Sequence, residues 1–200
     1  MKNKSLLVSL SLFMAITISA QEAKYEIKSG IINSTMEVMG QKIETVTYFD
    51  DYGKTEATLL TLQGPSGKVR MKSLEKGDST YTIDLDNKQG AVQKSAEHAL
   101  NYLKTTPEMI EKHKLKEVGE EEISGKKCKK YTSETEVNRM GTNMKSVSTT
   151  WIWKGIPMKS ESDTGGMKSI STVTKIQENA TFDPEILKVP GDVKIQQMQL

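Results

Sequence analysis

The residue types most able to do chemistry in this chain lie close together. Trp151 and Trp153, the only two tryptophans, are two residues apart, so an extended strand would turn both indoles to one face. Such a face is either the inner wall of a β core or the lining of a pocket for an apolar ligand, with the indole N–H as a polar handle at its rim. Cys128, the single cysteine, is flanked by Lys126, Lys127, Lys129 and Lys130, a setting that lowers a thiol pKa. A nucleophilic thiol also needs a base, and the only histidines, His98 and His113, fall in a different expected element. The other reading of Cys128, a small buried hydrophobe on a strand with solvated lysines around it, is favoured because buried free cysteine is common.

The remaining catalytic signatures are missing. There is no Gly-x-Ser-x-Gly elbow, no His-Glu-x-x-His pair and no glycine-rich phosphate loop after a strand. Two imidazoles leave almost no material for a histidine-based triad or a multi-histidine zinc site. A pair of carboxylates brought together in space is the one acid–base arrangement left open. The chain is therefore expected not to be an enzyme, and no catalytic residue, metal ligand or cofactor is assigned. Methionine is the more suggestive residue: Met36, Met39, Met71, Met140, Met144, Met158 and Met167 lie in or beside strand regions. Flexible thioethers suit surfaces that fit variable apolar ligands, and they equally fill gaps in a core with few phenylalanines.

The elements that would position these residues follow from a period-two pattern. Val69, Met71 and Ser73 alternate with Lys68, Arg70 and Lys72, and Tyr81, Ile83 and Leu85 with Thr80, Thr82, Asp84 and Asp86. Alternation of this kind predicts antiparallel strands with one buried and one wet face. Turn residues at 39–42, 50–53, 64–67, 75–78 and 86–88 divide the N-terminal half into a meander of five or six strands. From Ser95 to about Lys114 the spacing of Ala99, Leu100, Leu103, Met109 and Ile110 predicts helix, restarted at Thr106-Pro107-Glu108 with Thr as cap and Pro in the first turn. These one or two short helices are expected to pack an apolar stripe on the sheet. Strands then resume over 127–138, 143–154, 156–162 and 167–176, followed by a partly irregular 182–189. Strands, helix and strands again make an α+β domain built on a large curved antiparallel sheet.

Residues 1–20 have the form of a secretory signal peptide: Lys2 and Lys4, an apolar run from Leu6 to Ile18, and small residues before an expected cut between Ala20 and Gln21. The run is too short for a transmembrane anchor, and no cysteine stands at the cut for lipid attachment. The expected product is a soluble periplasmic or secreted protein, a single domain over 21–190 with a loose tail over 191–200. Losing Lys2 and Lys4 takes the formal charge from +2 to zero, which removes the basic excess that a nucleic-acid binder needs.

"ISGKKCKKYTSET", "TTWIWKGIPMKSES" and "ATFDPEILKVP" together resemble successive strands of the LolA/LolB-like periplasmic lipoprotein-carrier superfamily, and more closely an uncharacterised secreted bacterial family of Bacteroidetes type related to it. The resemblance rests on Gly125, Cys128 and Tyr131, then Trp151, Trp153, Gly155, Ile156 and Pro157, then Phe182, Val189 and Pro190. It implies a half-barrel wrapped around one or two helices, with an apolar cavity that holds a lipid, an acyl chain or a lipidated protein. Trp151, Trp153, Met71, Met158, Ile83, Tyr81 and Leu103 are the expected lining, in a monomer with no cofactor. The alternative on the same fold is a partner-binding or envelope-sensor module, using a sheet edge or the basic hairpin at Lys126 to Lys130.

Overall fold

The computed structural model describes residues 22–64, 67–95, 100–139 and 142–197. The expected signal peptide and cut site, His98, Ala99 and Met140 lie outside these residues.

The chain lays down two antiparallel meanders. The first contains β1 (Gly30–Val38), β2 (Gln41–Asp50), β3 (Thr55–Gly64), β4 (Gly67–Lys76), β5 (Ser79–Asp84) and β6 (Gln89–Lys94). The second follows a short helix, α1 (Pro107–Lys112), and contains β7 (Lys116–Ile123), β8 (Lys126–Arg139), β9 (Thr142–Trp153), β10 (Ile156–Thr164) and β11 (Met167–Glu178). Pairing of β11 with β1 fuses the two into one curved, open sheet. A last strand, β12 (Lys194–Gln197), lies in the segment expected to be loose and pairs in parallel with β6. The order across the twelve strands is β12-β6-β5-β4-β3-β2-β1-β11-β10-β9-β8-β7.

Helix is scarcer than the spacing predicts. Among the described residues α1 is the only α-helix, six residues long, and it buries none of them. Thr106 caps it as expected, accepting from the Met109 N–H, but Ile110 on the anticipated apolar stripe is 44 % exposed. Upstream, Asn101 holds the chain in a turn: its Oδ1 accepts from the Leu103 N–H while its Nδ2 donates to the Ala23 carbonyl. Side chains that offer the backbone such local bonds compete with helix, and six residues are too few for a helix to stabilise itself. Among the described residues, then, the sheet is not wrapped around helices.

The two faces are covered by the chain's own ends. Register and alternation place Ile32, Phe49 and Glu56 on one face, and Tyr48, Ala57, Lys72, Leu74 and Ile83 on the other. Across the first face runs the segment 22–28. Tyr25 meets the fully buried Phe49 edge-on at 4.8 Å and donates to Glu56 at 2.5 Å. Burying Phe49 contributes about 1.5–3 kcal/mol and the ring pair about 0.5–1.5 more, enough to hold a segment that has no ladder of its own. Across the second face runs the segment after β11, with Phe182 against Tyr48 at 5.3 Å, before the chain joins the sheet edge as β12, where Ile195 packs beside its ladder partner Gly90. Lys72, expected on the wet face beside Lys68 and Arg70, is buried beneath this segment and donates to the Lys188 carbonyl at 2.7 Å. Burial lowers the Lys72 pKa. The alternation along β4 is real; which face is wet changes half-way along, where the tail crosses.

The β9–β10 turn is locked against the N-terminal segment. Gly155 has φ +82°, and a Cβ there would lie 2.1 Å from the Lys24 carbonyl oxygen. Gly40, in the β1–β2 turn, has φ +76° and open space around it. Gly40→Ala should therefore cost only the left-handed backbone penalty, roughly 1–2 kcal/mol. Gly155→Ala should cost about 3 kcal/mol or more, because the N-terminal segment must move as well. Urea denaturation of both variants checks this; equal losses would show that the contact with Lys24 adds nothing.

Candidate functional site

Sequence spacing puts Trp151 and Trp153 on one face of β9, and the structure fills that face with lysines. The ammonium groups of Lys130 and Lys159 lie 4.8 and 4.6 Å from the Trp151 ring centroid. Those of Lys126 and Lys154 lie 4.3 and 4.7 Å from Trp153. Trp151 is 3 % exposed, and its Nε1–H donates to Glu121 at 2.7 Å. That bond, with Lys130 alongside, keeps the Glu121 carboxyl below its ordinary pKa. The indoles are covered by the apolar stems of amphipathic side chains and form no open aromatic wall.

Cys128 is buried in the same cluster, and burial raises the pKa of its thiol. The surrounding lysines do not make it a thiolate because each is engaged by an acid: Lys126 by Glu178, Lys127 by Glu120, Lys129 by Glu117 and Lys130 by Glu121. The acidic run of β7 thus pairs off Lys127, Lys129 and Lys130 of β8 across one ladder, and Lys126 is held from β11. Among the described residues no group of His, Cys, Asp and Glu is arranged to hold a metal ion.

The other expected lining residues separate. Met158 and Ile83 are fully buried in different cores. Tyr81 shares its face with Leu74 and Val92, and Leu103 packs over Gly155. Met71 is half-buried on the opposite face from Ile83, between Leu60 and Asp84. None of the seven lines either of two cavities the structure shows. One of these, about 220 Å³, lies beside Phe182 and Leu187. The larger, about 1000 Å³, is bordered by Gln41–Glu44, Thr61–Gln63, Lys68, Arg70 and Asp86, and its rim is charged.

The feature that single-residue reading missed is a field of hydroxyls. Thr47 faces Thr58 at 2.8 Å, Ser133 faces Ser148 at 2.8 Å, and Thr150 faces Ser160 at 3.0 Å. Ser146 faces Thr164 at 2.8 Å and Ser162 faces Ser169 at 2.7 Å. Every pair is directly opposed in register, all lie on the face that carries Phe49 and Glu56, and nine of the ten residues are half-buried, Thr150 being buried. Towards β1–β4 the same face turns apolar through Met36, Ile43, Leu60, Leu62, Val69 and Met71. Its other end is closed by Tyr102, whose ring packs at a tilt against Tyr131 at 5.4 Å, and by the Tyr25–Glu56 pair, beside which Lys24 bonds Glu75. The signal was present in the sequence as Ser and Thr at every second position of 146–150, 160–164 and 169–171.

No family model and no curated protein matches the chain. Solved structures do share its fold. An uncharacterized conserved protein from Thermus thermophilus superposes with a TM-score of 0.55 at 8% identity, over 86% of this chain and 92% of that one. In the Pseudomonas aeruginosa MucA/MucB complex the values are 0.53 and 14%, over 88% of this chain and 60% of that one, so this chain spans about three-fifths of the second protein. A putative outer membrane lipoprotein-sorting protein domain from Vibrio parahaemolyticus gives 0.41 and 9%, over 82% and 91%. At these identities the likeness is one of fold alone, a large curved antiparallel sheet shared with the first two structures.

Glu56 gives the closed end of the hydroxyl face a pH signature. Burial pushes its carboxyl above the ordinary 4.5, against the opposing pull of Lys24 and the Tyr25 hydroxyl. The native protein then keeps a proton that the unfolded chain has released, so stability should fall as pH rises from 4.5 through the native pKa and level off above it. Glu56→Gln should lack this decline. Urea midpoints between about pH 4 and 7 test it, and parallel profiles for the two proteins would show that Glu56 ionises as it does in the unfolded chain.

Proposed function

We propose that the protein is an exported binding module, not an enzyme, that lays an extended segment of a partner protein along its hydroxyl face. The observation that carries this reading is the row of opposed, half-buried hydroxyl pairs. An acyl chain placed on them would remove hydroxyls from water and return no hydrogen bond. A polypeptide brings its own N–H and C=O groups, which can bond those hydroxyls directly or through water. The same fold in the MucA/MucB complex belongs to a structure of two associated proteins, which is in keeping with the reading. No helix among the described residues is long and apolar enough to cross a membrane. The reading of an exported protein rests on the signal-like form of residues 1–20.

A lipid ligand is the second reading, favoured by the apolar end of the same face at Met36, Leu60 and Met71. Of the seven residues expected to line such a cavity, Met71 alone belongs to this patch; Trp151, Trp153, Met158, Ile83, Tyr81 and Leu103 would act only as the wall behind it. Photo-cross-linking from Ser148 and Ser162, with native mass spectrometry of the protein recovered from the exported fraction, separates the two. The expected result is cross-linked polypeptide and a protein mass free of lipid. A reproducible adduct released by organic solvent would transfer the assignment to the acyl-chain reading.

A further inference from the structure

The larger cavity is a split in the sheet. The β2–β3 ladder runs from Asp50↔Thr55 only as far as Thr45↔Leu60. Beyond it β2 continues to Gln41 paired with β1 alone, and β3 continues to Gly64 paired with β4 alone. The two hairpins therefore splay, and the cavity of about 1000 Å³ occupies the gap between them.

Antiparallel geometry decides which groups face the gap. The two-residue turn Met39-Gly40 has both φ values positive, 52° and 76°, so the flanking pair Val38↔Gln41 exchanges hydrogen bonds. Alternation then gives Ile43 and Thr45 to β1, and leaves Lys42 and Glu44 with N–H and C=O directed at β3. Val46 points the same way and bonds Leu59, so Thr61 and Gln63 direct theirs back at β2. The gap is thus bordered by two facing strand edges without ladder partners. The outer edge β7 is different: its acids are tied to β8 lysines, and its ladder is broken by an irregularity at Gly119, devices that blunt an edge.

Side chains on the two sides of the gap differ in kind. On the hydroxyl face it is flanked by Ile43 and Leu62, with Leu60 and Val69 next to them. On the other face stand Lys42, Glu44, Thr61, Gln63, Lys68 and Arg70. Arg70 is held by Asp86, through Nη2 at 2.6 Å and Nε at 2.8 Å. Lys42 and Lys68, both exposed and one on each hairpin, have no ion pair among the described residues.

We infer that the gap between β2 and β3 is a strand-addition site for an extended partner segment in which apolar and acidic residues alternate. The segment's backbone completes the ladders of Lys42 and Glu44 on one side and Thr61 and Gln63 on the other; its apolar side chains enter between Ile43 and Leu62, and its carboxylates meet Lys42 and Lys68. This deepens the partner-binding reading and rests on it.

The test uses a fluorescent peptide, acetylated and amidated, of alternating Glu and Val, seven residues long, with the full mature protein. Binding should be detectable by anisotropy and should slow amide exchange at Lys42, Glu44, Thr61 and Gln63 at least tenfold. The double variant Lys42→Glu, Lys68→Glu, at exposed positions that leave the fold intact, should bind at least tenfold more weakly, as should a peptide with Lys in place of Glu. A Glu/Val peptide N-methylated at alternate residues keeps its side chains but lacks half its donors, and should not bind. The inference falls if these amides are already protected in the free protein, if the peptide binds without protecting them, if no peptide binds, or if vesicles of anionic phospholipid and not the peptide protect them. If the double variant still cross-links polypeptide from Ser148 and Ser162 as the unaltered protein does, the gap is dispensable and the partner-binding reading survives without it.

Discussion

An open sheet has two faces, and the organisation of this protein follows from covering them with almost no helix. A segment near each end of the chain closes part of one face: residues 22–28 lie on the hydroxyl face through Tyr25, Phe49 and Glu56, and the segment from Phe182 to Lys188 lies on the opposite face through Tyr48 and Lys72 before the chain joins the sheet edge as β12. Neither cover extends the length of the strands. The result is a sheet with buried cores where the straps cross and accessible faces elsewhere, and the accessible part of the hydroxyl face is where a ligand would have to lie. Lys72 shows how tightly the tail strap determines its surroundings: a cation becomes part of the core because a backbone carbonyl crosses above it.

Where no strap crosses, charged side chains provide the cover. The tryptophan pair of β9 is shielded by four lysine stems, and the acids that hold those lysines come from β7, β10 and β11. Such pairs contribute little individually in water. Here they fix the lysines over the rings, so these acids and bases are matched within the sheet. A hairpin that reads as basic in sequence presents little unbalanced charge to a partner, since the compensating carboxylates are provided by β7 and, for Lys126, by β11.

The strands are legible in the sequence because one chemistry, alternation of polar and apolar side chains, repeats over every element. Turns at 39–40, 77–78 and 165–166 are equally plain from Gly beside polar residues. What cannot be read locally is coverage. The pattern of β4 marks two faces but not the crossing tail that buries Lys72, and the spacing of Leu100, Leu103 and Ile110 suggests a stripe without revealing that Asn101 ties the chain to Ala23. The tryptophans share a face as their spacing predicts, yet whether that face is a wall or a pocket depends on lysines from β8 and β10. The cavity border is wholly illegible, because the point where two strands stop pairing is a property of neither strand alone.

That stopping point has a physical origin in the width of the sheet. Adjacent strands rotate by roughly 20–25° relative to one another, and open sheets beyond about ten strands relieve the accumulated twist by curling, splitting or flattening. This sheet has twelve strands and gives way between β2 and β3, at the end of the ladder farthest from the Tyr25–Phe49 contact that holds the other end together. The edges so exposed sit at the surface, where water satisfies Lys42, Glu44, Thr61 and Gln63, so little free energy is needed to keep the split open or to fill it. A strand entering there would meet a site already shaped by twist, with Ile43 and Leu62 on one face to favour apolar residues and lysines on the other to select charge. The apolar end of the hydroxyl face leads to the same gap. A partner laid along the hydroxyls from β8 towards β1 would arrive at Met36 and Ile43, and its chain would have the open edge of β2 as the next surface to pair with.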